Sequence, residues 1–134
     1  MTYMRQELPP ITLNAGDFER LDRLAAAAAD KFPRTADFLA REIARANVVD
    51  RGQVLPGLVG MGSTVEYRDD TTGQKRTVSV VYPAEADLPT GKISVLSPVG
   101  AALIGLSAGQ SIEWQTPTGS WRSLTVLWAN GVAA

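Results

Sequence analysis

Residues 97–114 read SPVGAALIGLSAGQSIEW, which predicts a strand end, a short apolar helix, a glycine stop and a new strand. Pro98 fits the first helical position, where its missing N–H would have no partner in any case. Apolar residues recur on one side of this helix at three- and four-residue spacing, namely Val99, Ala102, Leu103 and Leu106. Gly105 and Gly109 lie where the chain turns back, and we expect a positive φ at one of them. The stretch contains no nucleophile, metal ligand or phosphate-binding loop.

The composition of the chain indicates a soluble globular protein. Its 134 residues suffice for one domain or a small domain with an appendage, and 45% are hydrophobic and 20% charged. The 13 basic and 14 acidic residues are mixed along the length without a basic tract, so we expect no direct nucleic-acid binding. No run is long enough to span a membrane, and the start lacks a signal-peptide core, which favours a cytoplasmic location.

Two residue types are absent, and their absence narrows the chemistry. The chain has no cysteine, which excludes disulfides, thiolate nucleophiles and most zinc sites. It has no histidine either, which removes the commonest general base. We therefore expect a protein that is not an enzyme and that holds no metal and no cofactor.

The N-terminal part predicts a flexible arm over residues 1–10 and a short antiparallel helical hairpin, or coiled coil, over 11–50. Asn14 is a suitable N-cap for a first helix that runs to about Lys31. Pro33 is expected to break this helix. At 1.5 Å per residue, roughly 14 to 16 residues make each arm about 20–24 Å long.

The second helix of the hairpin is predicted over residues 36–47, with Thr35 as its N-cap. Two amphipathic helices joined by so few residues run antiparallel. The exposed tip between them carries Asp30, Phe32, Arg34 and Asp37.

The C-terminal part, residues 51–134, is rich in β-formers and predicts a small, mostly antiparallel sheet. Its strands are expected over 63–68, 75–82, 92–96, 110–115 and 122–128. Turn-forming residues at 69–73 and 117–119 separate strands, and Asp69 and Asp70 are assigned to the first turn. The short helix at 98–106 is the expected cover of the apolar sheet face. The fold class is therefore α+β.

Several stretches resemble the C-terminal domain of bacterial transcript-cleavage (Gre) factors and, more closely, the smaller family called regulator of nucleoside diphosphate kinase (Rnk). They are GSTV at 62–65, VYPAEAD at 81–87, ISVLSPVGAALIG at 93–105, and the spacing G-x-x-x-G-x-S-I-x-W at 105–114. The start of the helical part, PITLN at 10–14, fits the same family. The resemblance covers roughly residues 8 to 129, which is far more than a lone short motif.

The resemblance implies an FKBP-like C-terminal domain and binding to the core of bacterial RNA polymerase at the rim of its secondary channel. Ser97, Pro98 and Gly100 match the position through which Gre-type domains are thought to contact the polymerase. A simpler reading is that Ser97 ends a strand and Pro98 starts a helix, and both roles are compatible. We expect a monomer without a membrane partner.

The hairpin tip departs from the pattern of the cleavage factors, in which acidic tip residues help to hold a catalytic magnesium in the polymerase. Here the hairpin is about half the length needed to reach the active site, and the tip has no Asp-x-x-Glu pair. We therefore expect no stimulation of transcript cleavage, and competition with longer channel-binding factors instead. Asp30 and Asp37 are either solvated charges or contacts to basic groups or a metal. Phe32 either staples the turn or is an exposed anchor.

Two other functions stay open at this point. One is an FKBP-like prolyl isomerase or general protein-binding module, in which Trp114, Trp121 and Trp128 line a groove; alternatively at least two of them fill the core. Similarity of fold alone does not transfer isomerase activity. The other is direct or indirect control of nucleoside diphosphate kinase, as the family name suggests.

Overall fold

The computed structural model describes residues 8–51, 53, 55–115, 118–130 and 132–133. Its helices and strands are β1 (Thr12–Asn14), α1 (Ala15–Ala28), α2 (Pro33–Ala44), β2 (Asn47–Val49), β3 (Thr64–Asp69), β4 (Lys75–Val81), β5 (Lys92–Ser94), α3 (Pro98–Leu103), β6 (Ser111–Gln115), β7 (Trp121–Ala129) and β8 (Val132–Ala133). Two 3₁₀ turns, Pro83–Glu85 and Leu88–Thr90, lie between β4 and β5. The combination of helices and a sheet confirms the α+β class.

The first helix begins as predicted and ends earlier. Asn14 caps it, and its Oδ1 accepts a hydrogen bond of 2.8 Å from the Asp17 amide. The helix ends at Ala28, three residues before Lys31. The Ala29 amide donates to the Ala26 carbonyl, three residues back, at 3.5 Å, a 3₁₀-type bond that is common at helix ends.

The second helix differs from its prediction at both ends. Pro33 does not only break α1 but occupies the first position of α2, where its fixed φ and missing N–H fit. Thr35 is therefore inside the first turn, and the prediction that it caps the helix was wrong. The capping position belongs to Phe32, whose carbonyl accepts from the Ala36 amide at 2.8 Å. At the other end α2 stops at Ala44 because the next residues form a strand.

That strand, β2, pairs in parallel with β1 in a two-stranded ladder that the sequence did not predict. The Asn47 amide donates to the Ile11 carbonyl at 2.9 Å, and the Thr12 amide donates to the Gly105 carbonyl at 3.0 Å. Gly105 has a φ of +81°, and a Cβ built there would lie 2.9 Å from the Cβ of Ile11. Glycine at this position thus allows the N-terminal segment to pack against the loop that follows α3.

The main sheet has the strand order β5-β4-β3-β7-β6, with β8 on the free end of β7, among the described residues. Its pairs are antiparallel except β4 with β5, which are parallel. The sheet is thus mostly antiparallel, as predicted, and the parallel pair arises at this edge because the two 3₁₀ turns carry the chain back before β5 begins. The turn at 69–73 is confirmed by a 2.7 Å bond from the Gly73 amide to the Asp69 carbonyl. The second turn includes Pro117, which lies outside the described residues.

The hydrophobic core is shared by α1, α2, α3 and the sheet. Leu21 of α1 and Leu39 of α2 are fully buried in the same cluster as Val65 of β3 and Leu103 of α3. The prediction that α3 alone covers the sheet was therefore incomplete, because the helix pair contributes to the same core. Residues 101–106, at the end of α3 and just after it, are all buried.

Gly100 in α3 lies so close to the end of β5 that no larger residue fits. A Cβ built at this position would be 2.2 Å from the Ser94 carbonyl oxygen, which is backbone and cannot rotate away. We expect Gly100→Ala to lower the free energy of unfolding by about 1–3 kcal/mol, because α3 must shift away from the sheet. Chemical denaturation measures this directly.

Gly16→Ala is the matched control. Gly16 is also helical, but its nearest neighbour is the flexible end of Arg51 at 3.2 Å, so alanine there is expected to be neutral or slightly stabilising. Equal stability of the Gly100 variant and the unchanged protein would show that the close approach of α3 and β5 is not required.

Candidate functional site

The predicted contact residues form a rigid corner between β5 and α3, which we call the Ser97–Pro98 corner (residues 94–100). Ser97 caps α3: its Oγ accepts from the Gly100 amide at 3.1 Å and donates to the Ser94 carbonyl at 2.6 Å. Pro98 occupies the first helical position and its side chain is exposed. Gly100 is buried beneath them, so its place in the corner is explained by packing.

A cleft of about 210 Å³ opens beside this corner. Its lining residues are Tyr67, Asp69, Pro98, Val99, Trp114, Arg122 and Leu124. The inner faces of β3, β6 and β7 supply the buried side chains, and the start of α3 supplies the opposite wall. The cleft and the Ser97–Pro98 corner therefore form one continuous surface, with Pro98 belonging to both.

An ion pair lies on the polar side of the cleft. Asp69 at the end of β3 accepts a hydrogen bond from the Nη2 of Arg122 on β7. Its other oxygen accepts from the amides of Thr71 at 2.8 Å and Thr72 at 3.3 Å in the following turn. Burial acts to raise the pKa of Asp69, but the Arg122 bond and the two amides together hold that pKa below its ordinary value.

The remaining polar groups of the cleft are neutral or cationic. Burial raises the pKa of Tyr67, so its phenol stays protonated at neutral pH. Trp114 is buried, and its indole N–H has no acceptor among the described residues. The described residues that line the cleft include no imidazole or thiol, their one hydroxyl is the phenol of Tyr67, and the carboxylate of Asp69 is held by Arg122. The apolar side chains of Val99, Trp114 and Leu124 give the cleft a surface suited to binding an apolar group.

The tip residues lie on a different part of the chain from the cleft. Asp30, Phe32 and Arg34 are exposed between α1 and the first turn of α2. Phe32 is 53% exposed, which favours the exposed-anchor alternative over a staple. Asp37 pairs with Arg41 one turn along α2 at 2.5 Å. Among the described residues, no group of three or more acidic side chains is placed to hold a metal ion.

The sequence interpretation missed most of the cleft. Asp69 was assigned only to a turn, yet its side chain faces the same side of β3 as Tyr67, two residues earlier. Because side chains alternate between the two faces of a strand, the sequence alone could have shown that Asp69 and Tyr67 share a face. Trp114 and Arg122 come together because they are opposite each other across β6 and β7, which requires the register. Of the three tryptophans, Trp114 lines the cleft, whereas Trp121 is 41% exposed.

A partly buried ion pair at the end of α2 was also missed. Glu42 accepts from the Nε of Arg45 at 2.5 Å, and Arg45 also donates to the Pro9 carbonyl. Burial raises the pKa of Glu42, while Arg45 acts against this shift. The pair joins the end of α2 to the N-terminal segment, and a lone Glu on a helix gave no signal of burial.

Residues 55–130 match the family "Transcription elongation factor, GreA/GreB, C-term", and residues 9–49 match the family "Rnk N-terminus". The "Regulator of nucleoside diphosphate kinase" of Escherichia coli K12 is 38% identical over 119 residues, which are 89% of this chain and 88% of the relative. "Transcription elongation factor GreA" of Azorhizobium caulinodans is 40% identical over 90 residues, 66% of this chain and 57% of the relative.

A solved structure is similar over nearly the whole chain. It is the "Prokaryotic transcription elongation factor GreA/GreB from Nitrosomonas europaea", with a TM-score of 0.69, 38% identity, and coverage of 91% of this chain and 98% of the other. The sheet, the Ser97–Pro98 corner and these matches define a protein of the GreA/GreB class in its C-terminal part. More particularly, the chain belongs to the regulator of nucleoside diphosphate kinase family, which confirms the resemblance seen in the sequence. In the described residues no helix is long and apolar enough to cross a membrane.

The ion pair of the cleft predicts a dependence of stability on pH. Because the pKa of Asp69 is lowered in the folded state, its stabilising contribution is present at neutral pH and is lost as the pH falls through that pKa. Asp69→Asn is expected to lower the free energy of unfolding at pH 7 by about 0.5–1 kcal/mol, because solvent screens the partly exposed pair. The difference from the unchanged protein should shrink between about pH 5 and pH 2.

Denaturation at a series of pH values checks this expectation. A difference between the two proteins that stays constant down to pH 2 would show that the carboxylate charge of Asp69 does not stabilise the fold.

Proposed function

We propose that this chain is a regulator that binds the core of bacterial RNA polymerase at the rim of the secondary channel. The observation that carries the proposal is the Ser97–Pro98 corner, where an exposed proline stands beside a preformed cleft. The relatives are named as a regulator and as elongation factors, which supports a binding protein rather than a catalyst.

Rigidity makes the corner suitable for docking. Ser97 is held by two hydrogen bonds of its Oγ, and Gly100 packs α3 directly on the Ser94 carbonyl. Little conformational freedom is left to lose on binding, so contacts made here contribute more fully to affinity. The cleft has the size of one or two side chains, which is typical of a pocket for an interface anchor.

The helix pair limits what this regulator does inside the channel. The 14 residues of α1 and 12 of α2 span only about 21 Å and 18 Å at 1.5 Å per residue. The carboxylate of Asp37 pairs with Arg41, and Asp30 has no acidic partner three residues on. We propose that the helix pair obstructs the channel, and competes with longer factors, without stimulating transcript cleavage.

A second candidate is an FKBP-like prolyl isomerase or general protein-binding module. The aromatic floor formed by Tyr67 and Trp114 favours it, because such surfaces accept proline rings and apolar side chains. The proposals differ in what binds: an intact polymerase core or short Xaa-Pro peptides.

We expect the purified chain to bind core RNA polymerase with micromolar or tighter affinity, and Pro98→Asp to weaken binding at least tenfold. A charge at this corner would be desolvated by the partner without compensation. Surface-immobilised polymerase and titrated protein give the affinities. Pro83→Asp is the matched control, because Pro83 is also an exposed proline at the first position of a helical turn, away from the cleft.

Three results would contradict the proposal. They are no binding by the unchanged protein, equal loss in both proline variants, or turnover of a Xaa-Pro peptide in place of polymerase binding.

In the same preparation, a stalled elongation complex should release no short 3′ RNA fragments on addition of the protein. Release that disappears in the Asp30→Ala, Asp37→Ala double variant would show that the tip does act in cleavage.

A further inference from the structure

We infer that the cleft recognises a polymerase segment in which an acidic side chain neighbours an apolar one, and that Arg76, at the edge of the cleft, selects the acidic side chain. The inference rests on the proposed function and deepens it, because it states which chemistry of the partner the docking surface accepts.

Arg76 lies on the same face of the sheet as the cleft. It is directly opposite Tyr67 across β3 and β4, and side chains opposite each other on paired strands share a face. Burial raises the pKa of Tyr67, and among the charged groups that act on its phenol Arg76 has the largest effect, ahead of Asp69 and Arg122. The positive charge of Arg76 is therefore felt at the wall of the cleft that Tyr67 forms.

The cleft and its edge carry an uncompensated positive charge. Asp69 and Arg122 neutralise each other as an ion pair. Arg76 is exposed and makes no ion pair among the residues that the structure describes. The opposite wall supplies no counter-charge, because residues 93–112, which include α3, contain no Asp, Glu, Lys or Arg. The positive charge of Arg76 is thus left for an occupant.

The walls of the cleft select the neighbour of the acidic group. Val99, Trp114 and Leu124 present apolar surface, and the cleft has room for one or two side chains in its volume of about 210 Å³. An apolar side chain placed there leaves water, while an acidic side chain beside it meets the guanidinium of Arg76. A carboxylate matches the planar donor fork of arginine, which gives this contact a direction as well as an attraction.

A protein carboxylate fits this surface better than a nucleic-acid phosphate. Proteins that bind a phosphate backbone present many basic side chains along one face. Here one uncompensated arginine lies beside apolar walls, and the whole chain has a net charge of -1 without a basic tract. We therefore assign the acidic group to a protein side chain of the polymerase core.

The test compares Arg76→Met with Lys75→Met in binding to core RNA polymerase that is free of nucleic acid. Both variants lose one positive charge from neighbouring exposed positions of β4, but Lys75 lies opposite Arg68, on the other face of the sheet. We expect the Arg76 variant to bind about three- to tenfold more weakly, and the Lys75 variant to bind like the unchanged protein. Arg76→Glu should weaken binding further, because like charges then repel.

Salt dependence identifies the attraction as electrostatic. The affinity of the unchanged protein and of the Lys75 variant should fall more steeply with salt concentration than that of Arg76→Met. Parallel slopes, equal weakening by the two variants, or an effect of Arg76→Met confined to complexes that carry RNA and DNA would overturn the inference. Unweakened binding by Arg76→Met, with Pro98→Asp still disruptive, would also overturn it and leave the proposed function intact.

Two blocked dipeptides test the cleft without polymerase. Acetyl-Leu-Glu-amide and acetyl-Leu-Gln-amide, which differ in charge and hardly in size, are titrated into the isotope-labelled chain and followed by two-dimensional NMR. We expect the acidic peptide to shift the amide signals of Tyr67 and Trp114 at a several-fold lower concentration, and Arg76→Met to abolish this preference. Equal shifts from both peptides, or none, would contradict the inference. A preference for the acidic peptide without any polymerase binding would contradict the proposed function alone.

Discussion

The contact between Gly100 and the Ser94 carbonyl is the constraint on which the rest of the structure depends. It brings the backbone of α3 against the end of β5, at a distance that only glycine permits. Ser97 then links the two elements, because its Oγ donates to the Ser94 carbonyl and accepts from the Gly100 amide. Because this approach fixes where α3 begins, it also fixes the exposed position of Pro98 and the wall of the cleft.

A second close approach ties the N-terminal part to the same region. Ile11 packs on Gly105, and the short ladder of β1 and β2 continues from this contact. The helix pair therefore shares the core of the sheet and is fastened at its base. A short hairpin fastened in this way has a defined direction relative to the Ser97–Pro98 corner, which the proposed obstruction of the channel would require. Gly100, in the first turn of α3, and Gly105, just after the helix, make these two contacts possible.

The sequence was sufficient for most of the features that depend on local chemistry. The Asn14 cap, the proline at the start of α3 and the turn at 69–73 follow from residues within a few positions of one another. The start of α2 was misplaced because Pro33 ends one helix and begins another equally well. Local propensity cannot choose between these roles.

Features that depend on long-range strand pairing could not be predicted from the sequence. The parallel ladder joins residues 35 positions apart, and neither strand is long enough to show a pattern. Likewise, the pairing of Asp69 with Arg122 and the position of Trp114 opposite Arg122 depend on the register of three strands. The family resemblance located the Ser97–Pro98 corner, but only the structure showed that a cleft lined by Trp114 and Arg122 adjoins it.

Site-specific photocrosslinking to core RNA polymerase tests the central claim most directly. A photoreactive residue in place of Thr71, in the turn that holds Asp69 at the cleft, should crosslink to one polymerase subunit. The same residue in place of Leu88, exposed in the second 3₁₀ turn, should not. Crosslinks from position 88 without any from position 71 would contradict docking through the cleft and the Ser97–Pro98 corner.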